Sequence, residues 1–189
     1  MKFFMKRLFA AIKINPSESF LQTYYGLKAN LRNDKIKWVN INNIHITLKF
    51  FGETPEDQIP EIVEKLKSIA ANHPHFKLNI KDIGIFGSSY KPRVIWFGIE
   101  ENERLIKLVK DVLSGMDDIG FKQDRQNFVP HLTIGRIKFI DDKNRFQQVI
   151  DKYKSTEIQK QEVTGFNLYE SILKQEGPEY KVIEKFILP

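Results

Sequence analysis

The chain has no cysteine among its 189 residues. This absence excludes disulfide bonds, zinc–thiolate sites and thiol nucleophiles from its structure and chemistry. Long hydrophobic runs are also missing, since no apolar stretch approaches the roughly 20 residues that span a bilayer. The N-terminal segment carries Lys6, Arg7 and Lys13 among its apolar residues, so it lacks the continuous apolar core of a signal peptide. We therefore expect a cytoplasmic protein with no membrane partner.

Charge and hydrophobicity narrow the class of protein further. The chain has 30 Lys and Arg against 24 Asp and Glu, which gives a formal net charge of +6. A basic excess favours polyanionic partners through long-range attraction, although a generally basic surface explains it equally well. Hydrophobic residues make up 41% of the chain, and Phe alone occurs 15 times, so a substantial core is available. No proline-rich or serine-rich linker divides the sequence, and we expect residues 1–189 to form a single domain and a monomer.

The order of predicted elements indicates an α+β fold rather than a doubly wound sheet, because strands and helices are mixed without regular βαβ units. Proline after a capping residue predicts two helix starts, at Asn15-Pro16 and at Thr54-Pro55. The predicted strands are 3–14, 44–51 (ended by Gly52), 76–86, 93–99, 131–139, 156–173 and 180–187. The predicted helices run from Pro16 to about 33, from Pro55 to about 72, over 101–116 and over 142–154.

One short pattern occurs twice, once in each half of the chain. Residues 44–48 and 130–134 both contain His, an apolar residue, Thr and a second apolar residue. An internal repeat of this kind is typical of two similar lobes that face each other. We therefore expect the single domain to have two lobes, each contributing one copy of the pattern.

The residue types in the repeated pattern suit acid–base chemistry on a phosphoester. Residues i and i+2 of a strand point to the same face, so His45 shares a face with Thr47, and His131 with Thr133. Two imidazoles with an ordinary pKa of about 6.5 suit phosphoester chemistry, since one can accept a proton from water while the other protonates the leaving alkoxide. The threonine hydroxyls can donate hydrogen bonds to phosphate oxygens, where charge builds in the transition state. We predict that His45 and His131 are catalytic and that both threonines bind substrate.

Metal chemistry is not required by this scheme. Neither motif contains a carboxylate, and each supplies only one good metal ligand. We therefore expect neither a metal nor another cofactor. The two remaining histidines, His73 and His75, flank Pro74 in a predicted helix-end loop and are interpreted as surface or capping residues.

The motifs in order resemble those of the bacterial and archaeal RNA 2′,3′-cyclic phosphodiesterases of the two-histidine phosphoesterase superfamily, historically also called 2′-5′ RNA ligases. The resemblance runs over nearly the full length. It rests on residues 7–12, 38–39, 44–53, 84–87, 92–96, 128–136, 168–171 and 177–180.

The resemblance implies a bilobal α+β fold, in which two antiparallel sheets line a central cleft and helices pack outside. It implies metal-independent hydrolysis of RNA 2′,3′-cyclic phosphate ends to 2′-phosphates. His45, Thr47, His131 and Thr133 match the family's catalytic tetrad, and Arg136 matches an arginine that holds the phosphate. By the same analogy, His131 is the base that activates water and His45 is the acid that protonates the departing 3′ oxygen.

Arg136 conflicts with simple strand geometry. Strict alternation from His131 places residue 136 on the face opposite the histidine. A bulge at Gly135 would return Arg136 to the site face, and a position at the strand end would let it reach around. A surface ion-pair role is the remaining alternative.

Four further residues have two interpretations each. Arg93 could meet RNA phosphates or be an ordinary surface arginine, whereas the apolar neighbours of Trp96 favour packing. Phe51 and Phe128 lie beside the motifs and could stack on a base or simply pack.

Two alternative functions remain open at this stage. The same motifs would serve a phosphoesterase acting on small cyclic phosphates or on 2′-5′-linked nucleotides. They would also be present in a non-catalytic nucleotide-binding module, although intact His and Thr in both copies argue against that hypothesis.

Overall fold

The computed structural model describes residues 4–88, 90–122 and 128–189. These residues form two antiparallel sheets and four α-helices, so the predicted α+β class is confirmed. The strands are β1 Met5–Lys13, β2 Lys35–Trp38, β3 His45–Pro55, β4 Phe76–Gly87, β5 Pro92–Ile99, β6 His131–Phe139, β7 Glu157–Val163, β8 Gly165–Lys174 and β9 Gly177–Ile187. The helices are α1 Glu18–Asn30, α2 Ile59–Ala70, α3 Glu103–Asp118 and α4 Lys143–Tyr153.

Each sheet contains one copy of the repeated pattern. The first sheet has the strand order β3-β1-β8-β9, and the second has the order β2-β6-β5-β4-β7. His45 is the first residue of β3, at the edge of the first sheet, and His131 is the first residue of β6 in the second sheet. Cα atoms of β3 and β6 come within 8 Å of each other, so the two motifs lie where the sheets meet.

The apolar partners in each motif point away from the histidines, as strand alternation requires. In β3 the side chains of Ile46 and Leu48 are buried, and in β6 those of Leu132 and Ile134 are buried. All four belong to one hydrophobic core that also includes the inner faces of the helices. The motifs therefore stand on strands whose reverse faces are anchored in the core.

The two predicted helix starts lie a few residues too early. Helix α1 is capped by Ser17, whose hydroxyl accepts a hydrogen bond from the Phe20 amide at 3.3 Å. Thr54 and Pro55 end β3 instead of opening a helix, and the Thr54 hydroxyl donates to the Gly52 carbonyl at 3.2 Å. Strand β3 therefore continues beyond Gly52, whose φ of 76° fits a residue without a Cβ.

Two strand boundaries depend on partners that are distant in sequence. The short strand β2 is not predicted, because its four residues include two lysines and it exists by pairing with β6. The single predicted strand over 156–173 is two strands, which separate at Thr164. Strand β7 pairs with β4 in the second sheet and β8 pairs with β1 in the first, so the chain changes sheet at this point.

None of the helices in the described residues has the length and apolar character needed to cross a membrane.

Candidate active site

A cleft of roughly 1930 Å³ opens between the two sheets. All five residues predicted for the site line this cleft: His45, Thr47, His131, Thr133 and Arg136. The two threonines lie on the same strand faces as their histidines, since the intervening residues are buried in the core. The fold thus brings together two imidazoles, two hydroxyls and one guanidinium.

The two histidines have the same hydrogen bond to the backbone. Nδ1 of His45 is 2.7 Å from the Asn43 carbonyl oxygen, and Nδ1 of His131 is 2.7 Å from the Val129 carbonyl oxygen. A carbonyl can only accept, so Nδ1 carries a proton and donates in both rings. Nε2 is then the nitrogen left to exchange a proton with a ligand. The two sheets hold their imidazoles in one orientation and one tautomer.

The carbonyl that orients His45 is itself fixed by a long-range contact. The side-chain amide of Asn43 donates to the Pro178 carbonyl oxygen at 2.8 Å. This bond joins the turn before β3 to the beginning of β9, on the far side of the same sheet. The orientation of His45 therefore depends on the hairpin formed by β8 and β9.

His45 lies in an aromatic environment. Its ring centroid is 5.0 Å from that of Phe9 and 5.4 Å from that of Tyr180. This burial lowers the pKa of His45 below its ordinary value of 6.5, and the hydrogen bond to Asn43 opposes the shift only in part. Low-polarity surroundings disfavour the imidazolium, so the neutral ring is favoured.

The ring of His131 is held by a different aromatic group. It meets the Phe86 ring edge to face, with centroids 4.7 Å apart, and Phe86 lies 5.4 Å from the ring of Trp96. Trp96 covers Gly84, where a Cβ would collide with the indole. Packing, the role favoured from the sequence, therefore describes Trp96, which supports the aromatic neighbour of His131.

A β-bulge resolves the conflict over Arg136. Trp96 pairs with Thr133 and Ile95 pairs with Gly135, which leaves Ile134 as an extra residue in β6. Ile134 and Gly135 are both buried, so Arg136 returns to the face that carries the histidine. Of the alternatives left open by the sequence, the bulge at Gly135 is the one that the structure contains.

The comparison with known families decides what kind of protein this is. The family model described as LigT like phosphoesterase matches residues 12–96 and 98–180, and each segment contains one His–Thr motif. The chain belongs to the LigT-like phosphoesterases.

Curated relatives agree with this assignment to the LigT-like family. An RNA 2′,3′-cyclic phosphodiesterase of Methanocaldococcus jannaschii is 38% identical over 95% of this chain and 99% of its own. A protein of the same name from Thermotoga maritima is 35% identical over 94% of this chain and 92% of its own. The family resemblance is therefore confirmed along most of the sequence.

Solved structures confirm the fold of this LigT-like phosphoesterase. The crystal structure of TT0787 from Thermus thermophilus superposes with a TM-score of 0.79, at 26% identity over 96% of this chain and 97% of that one. Escherichia coli LigT in complex with 3′-AMP superposes with a TM-score of 0.77, at 24% identity over 98% of this chain and 99% of that one. The bilobal arrangement expected from the resemblance is the arrangement found.

The sequence did not predict Arg7 or Tyr180, which both line the cleft. Arg7 lines the cleft from β1, and its guanidinium lies over the Phe50 ring at 5.1 Å from the centroid. Burial raises the pKa of Tyr180, while the positive charges of Arg136 and Arg7 partly oppose the rise. Both arginines therefore act on the same hydroxyl, one from each sheet. Alternation along β1 places Arg7 on the face of Phe9, but only the strand pairing shows that this face meets His45.

Phe128 and Phe51 differ in position. Phe128 lines the cleft, whereas Phe51 packs against Phe121 with ring centroids 5.2 Å apart. Packing is thus the role of Phe51, and a base-stacking role stays a prediction for Phe128. Arg93 is exposed and lies outside the described lining of the cleft.

Of the two roles expected for His73, surface or capping, the surface role is wrong. It is 4% exposed, and its Nε2 is 2.9 Å from an Asp111 carboxylate oxygen, which joins the end of α2 to α3. His75 is exposed, and its Nδ1 is 2.9 Å from a Glu162 carboxylate oxygen. Across the described parts of the chain, no group of three or more His, Asp or Glu side chains is arranged to hold a metal ion.

Proposed function

We propose that this LigT-like phosphoesterase hydrolyses the 2′,3′-cyclic phosphate at the end of an RNA to a 2′-phosphate, with His45 and His131 as its acid–base pair. The observation that carries the proposal is the matched pair of imidazoles in one cleft, each with Nδ1 on a backbone carbonyl and Nε2 left for substrate. The names of the curated relatives supply the substrate class.

The chemistry follows from these positions. Nε2 of His131 accepts a proton from a water molecule, whose oxygen attacks phosphorus. The bond from phosphorus to the 3′ oxygen breaks, and Nε2–H of His45 donates a proton to that oxygen. The phosphate stays on the 2′ oxygen. No atom of the protein becomes covalently attached at any stage.

The remaining cleft residues stabilise charge. The hydroxyls of Thr47 and Thr133 donate hydrogen bonds to the non-bridging phosphate oxygens. The positively charged guanidinium of Arg136 presents several N–H donors in one plane to the negatively charged phosphate. Because the fold fixes these donors before the reaction, they stabilise the transition state without the cost of reorganising.

Substrate binding prepares His45 for its role as the acid. Its lowered pKa favours the neutral ring in the free protein. A phosphate anion placed beside it favours the imidazolium, since a nearby opposite charge raises the pKa of a histidine. The proton for the leaving group is therefore taken up together with substrate.

The test is hydrolysis of an RNA oligonucleotide that ends in a 2′,3′-cyclic phosphate, with EDTA present throughout. We expect a 2′-phosphate product and an undiminished rate in EDTA. An oligonucleotide that ends in an open 3′-phosphate is the matched control and should be left unchanged. A folded protein that turns over neither the RNA nor a cyclic mononucleotide would disprove the proposal, and turnover of the mononucleotide alone would favour a small-molecule substrate.

We further propose that residues 1–189 act as one two-lobed domain and as a cytoplasmic monomer. The support for a single domain is the hydrophobic core, in which strands of both sheets take part. Light scattering should give the mass of one chain, and thermal unfolding should show one transition. Two separate transitions would indicate that the lobes unfold independently.

A further inference from the structure

Basic and aromatic side chains extend the cleft beyond the phosphate-binding residues. Tyr25 and Lys28 lie on α1, and Lys37 lies on β2. All three are exposed and line the same cleft as His45 and His131. We call these three residues the α1–β2 track. None of them is needed for the acid–base chemistry.

The track begins with two cations placed side by side. Lys37 lies directly opposite Arg136 in the antiparallel ladder between β2 and β6. Directly opposed residues have Cβ atoms about 5 Å apart, and like charges in this position are destabilising. Within the described residues, no carboxylate oxygen lies within 4.0 Å of either cation. Two adjacent phosphate groups would relieve the repulsion.

The surface that carries the track is firmly held. Tyr24, next to Tyr25, is buried, and its hydroxyl donates to the Val39 carbonyl oxygen at 2.8 Å. The Tyr24 ring also meets Trp38 edge to face, with centroids 5.6 Å apart. These contacts join α1 to the end of β2, so the backbone positions of Tyr25 and Lys37 are fixed relative to each other. Lys28 follows Tyr25 by three residues and therefore lies on the same side of the helix.

Another side of the cleft has the opposite electrostatic character. The hairpin of β8 and β9 contributes Glu176 and Glu179, with Lys174 paired to Glu179. These carboxylates disfavour a phosphodiester chain. An RNA whose terminal phosphate lies at Arg136 would therefore leave the cleft along the basic track and away from the hairpin.

We propose that the α1–β2 track binds the RNA on the 5′ side of its terminal nucleotide. Lys37 pairs with the phosphodiester next to the cyclic phosphate, Tyr25 stacks on a base, and Lys28 meets the following phosphate. This inference rests on the proposed function and adds to it, since it makes an RNA of several nucleotides a better substrate than a cyclic mononucleotide. Aromatic stacking with neighbouring cations is the usual way that proteins bind single strands.

The experiment compares two substrates with the same terminal base, a cyclic mononucleotide and a trinucleotide ending in a 2′,3′-cyclic phosphate. Lys37→Gln should lower kcat/KM for the trinucleotide relative to the mononucleotide by roughly three- to tenfold, the range for one hydrogen bond that stays exposed to water. Tyr25→Ala should lower the same ratio by about fivefold or more, as expected for the loss of one stacked base. Lys35→Gln is the matched control, because Lys35 lies on the same strand and is exposed, but is outside the described lining of the cleft.

Two readouts separate this role from a structural one. The salt dependence of trinucleotide binding should fall by about 0.7 in log–log slope for Lys37→Gln, as for one phosphate contact on a single strand. The melting temperature should not fall, because the substitution removes a like-charge pair. Fluorescence anisotropy with a labelled trinucleotide that ends in a 2′-phosphate gives the binding readout without turnover, so it stands even if the proposed function fails.

The contrary results are equally specific. If Lys37→Gln lowers kcat/KM for both substrates by the same factor, Lys37 holds the terminal phosphate and the track proposal is wrong. It is also wrong if Lys37→Gln and Lys35→Gln behave alike in both activity and anisotropy. A wild-type protein that hydrolyses neither substrate, yet binds the trinucleotide through Lys37, would overturn the proposed function and leave the track intact.

Discussion

The two halves of the molecule use the same backbone geometry for different side chains. In each half a histidine begins a strand and donates from Nδ1 to a carbonyl two residues earlier, and a threonine lies two residues later. Each threonine is followed by an extra residue in the ladder, Leu48 in β3 and Ile134 in β6. The bulge turns the fifth residue after the histidine toward the cleft in both halves: Phe50 in β3 and Arg136 in β6.

The residues beyond the bulge show where the halves diverge. Lys49 is 4% exposed, and its ammonium donates to the Lys122 carbonyl oxygen at 2.7 Å, after the end of α3. The matching residue in the second half is Gly135, where a Cβ would lie 2.9 Å from the Ile36 side chain. After its bulge, β3 therefore has a buried lysine and the aromatic Phe50, whereas β6 has a glycine and the cation Arg136.

The divergence indicates how a near-symmetric site becomes directional. Both histidines can transfer a proton, and burial in an aromatic pocket lowers the pKa of His45. Arg136 adds positive charge from the second sheet. The repeat supplies the shared geometry, and the residues around it assign separate tasks to the two sheets.

The largest expected effect is the loss of turnover when either histidine is replaced. A substrate that needs no acid then separates the roles of the two histidines. His45→Ala and His131→Ala should each lower kcat on RNA cyclic phosphate by about 10²- to 10⁴-fold, the usual contribution of a general acid or base. A 3′-deoxynucleoside 2′-(4-nitrophenyl phosphate) has a leaving group that departs without protonation. On this substrate His45→Ala should recover most of its loss and His131→Ala should not. Recovery by His131→Ala instead would reverse the assigned roles.

The next effect concerns Arg136, the cation that follows the bulge in β6. Arg136→Ala should lower kcat/KM by roughly 10- to 100-fold, because it removes a charge-assisted hydrogen bond to the phosphate. Arg136→Lys should restore only part of the loss, since lysine lacks the planar fork of donors. Arg93→Ala is the control, as Arg93 is exposed and lies outside the described cleft lining. Equal losses for the two alanine variants would contradict a specific role of Arg136.

The smallest effect is a pH dependence of stability that comes from His45. The pKa of His45 is below its unfolded value, so the unfolded chain binds more protons as pH falls through about 6.5. Protonation then favours unfolding, and the contribution of His45 to stability is present above about pH 6.5 and lost below it. The difference in melting temperature between wild type and His45→Gln should therefore shrink from about pH 8 to about pH 5. A difference that stays constant would contradict the burial argument.

The parts of the fold that depend on local pattern were predictable. Strand β6 runs from His131 to Phe139, as its alternation predicts, and the pairing of each His with its Thr needs only strand geometry. The bulge at Gly135 was one of the alternatives that the sequence left open for Arg136, and the strand pairing was needed to choose it. Local sequence was sufficient to predict features that depend on a single strand, such as its bounds and the side chains that share a face.

The parts that depend on distant neighbours were not predictable. Arg7 and Tyr180 join the site because β1 lies between β3 and β8, and β9 pairs with β8. Lys37 lies beside Arg136 because a four-residue strand pairs with β6, and alone its sequence does not indicate a strand. Sheet order, which these contacts require, is a property of the whole chain.

The most direct test of the account compares three histidine variants and one double variant on RNA that ends in a 2′,3′-cyclic phosphate. His45→Ala and His131→Ala should each abolish most turnover. Because the pair acts as a unit, the double variant should be no more than about tenfold slower than the less active single variant. His75→Ala, which alters an exposed histidine bonded to Glu162, should match wild type. Circular dichroism should show that all variants are folded. Near wild-type turnover by folded His45→Ala or His131→Ala would contradict the central claim that each sheet contributes one proton-transferring imidazole.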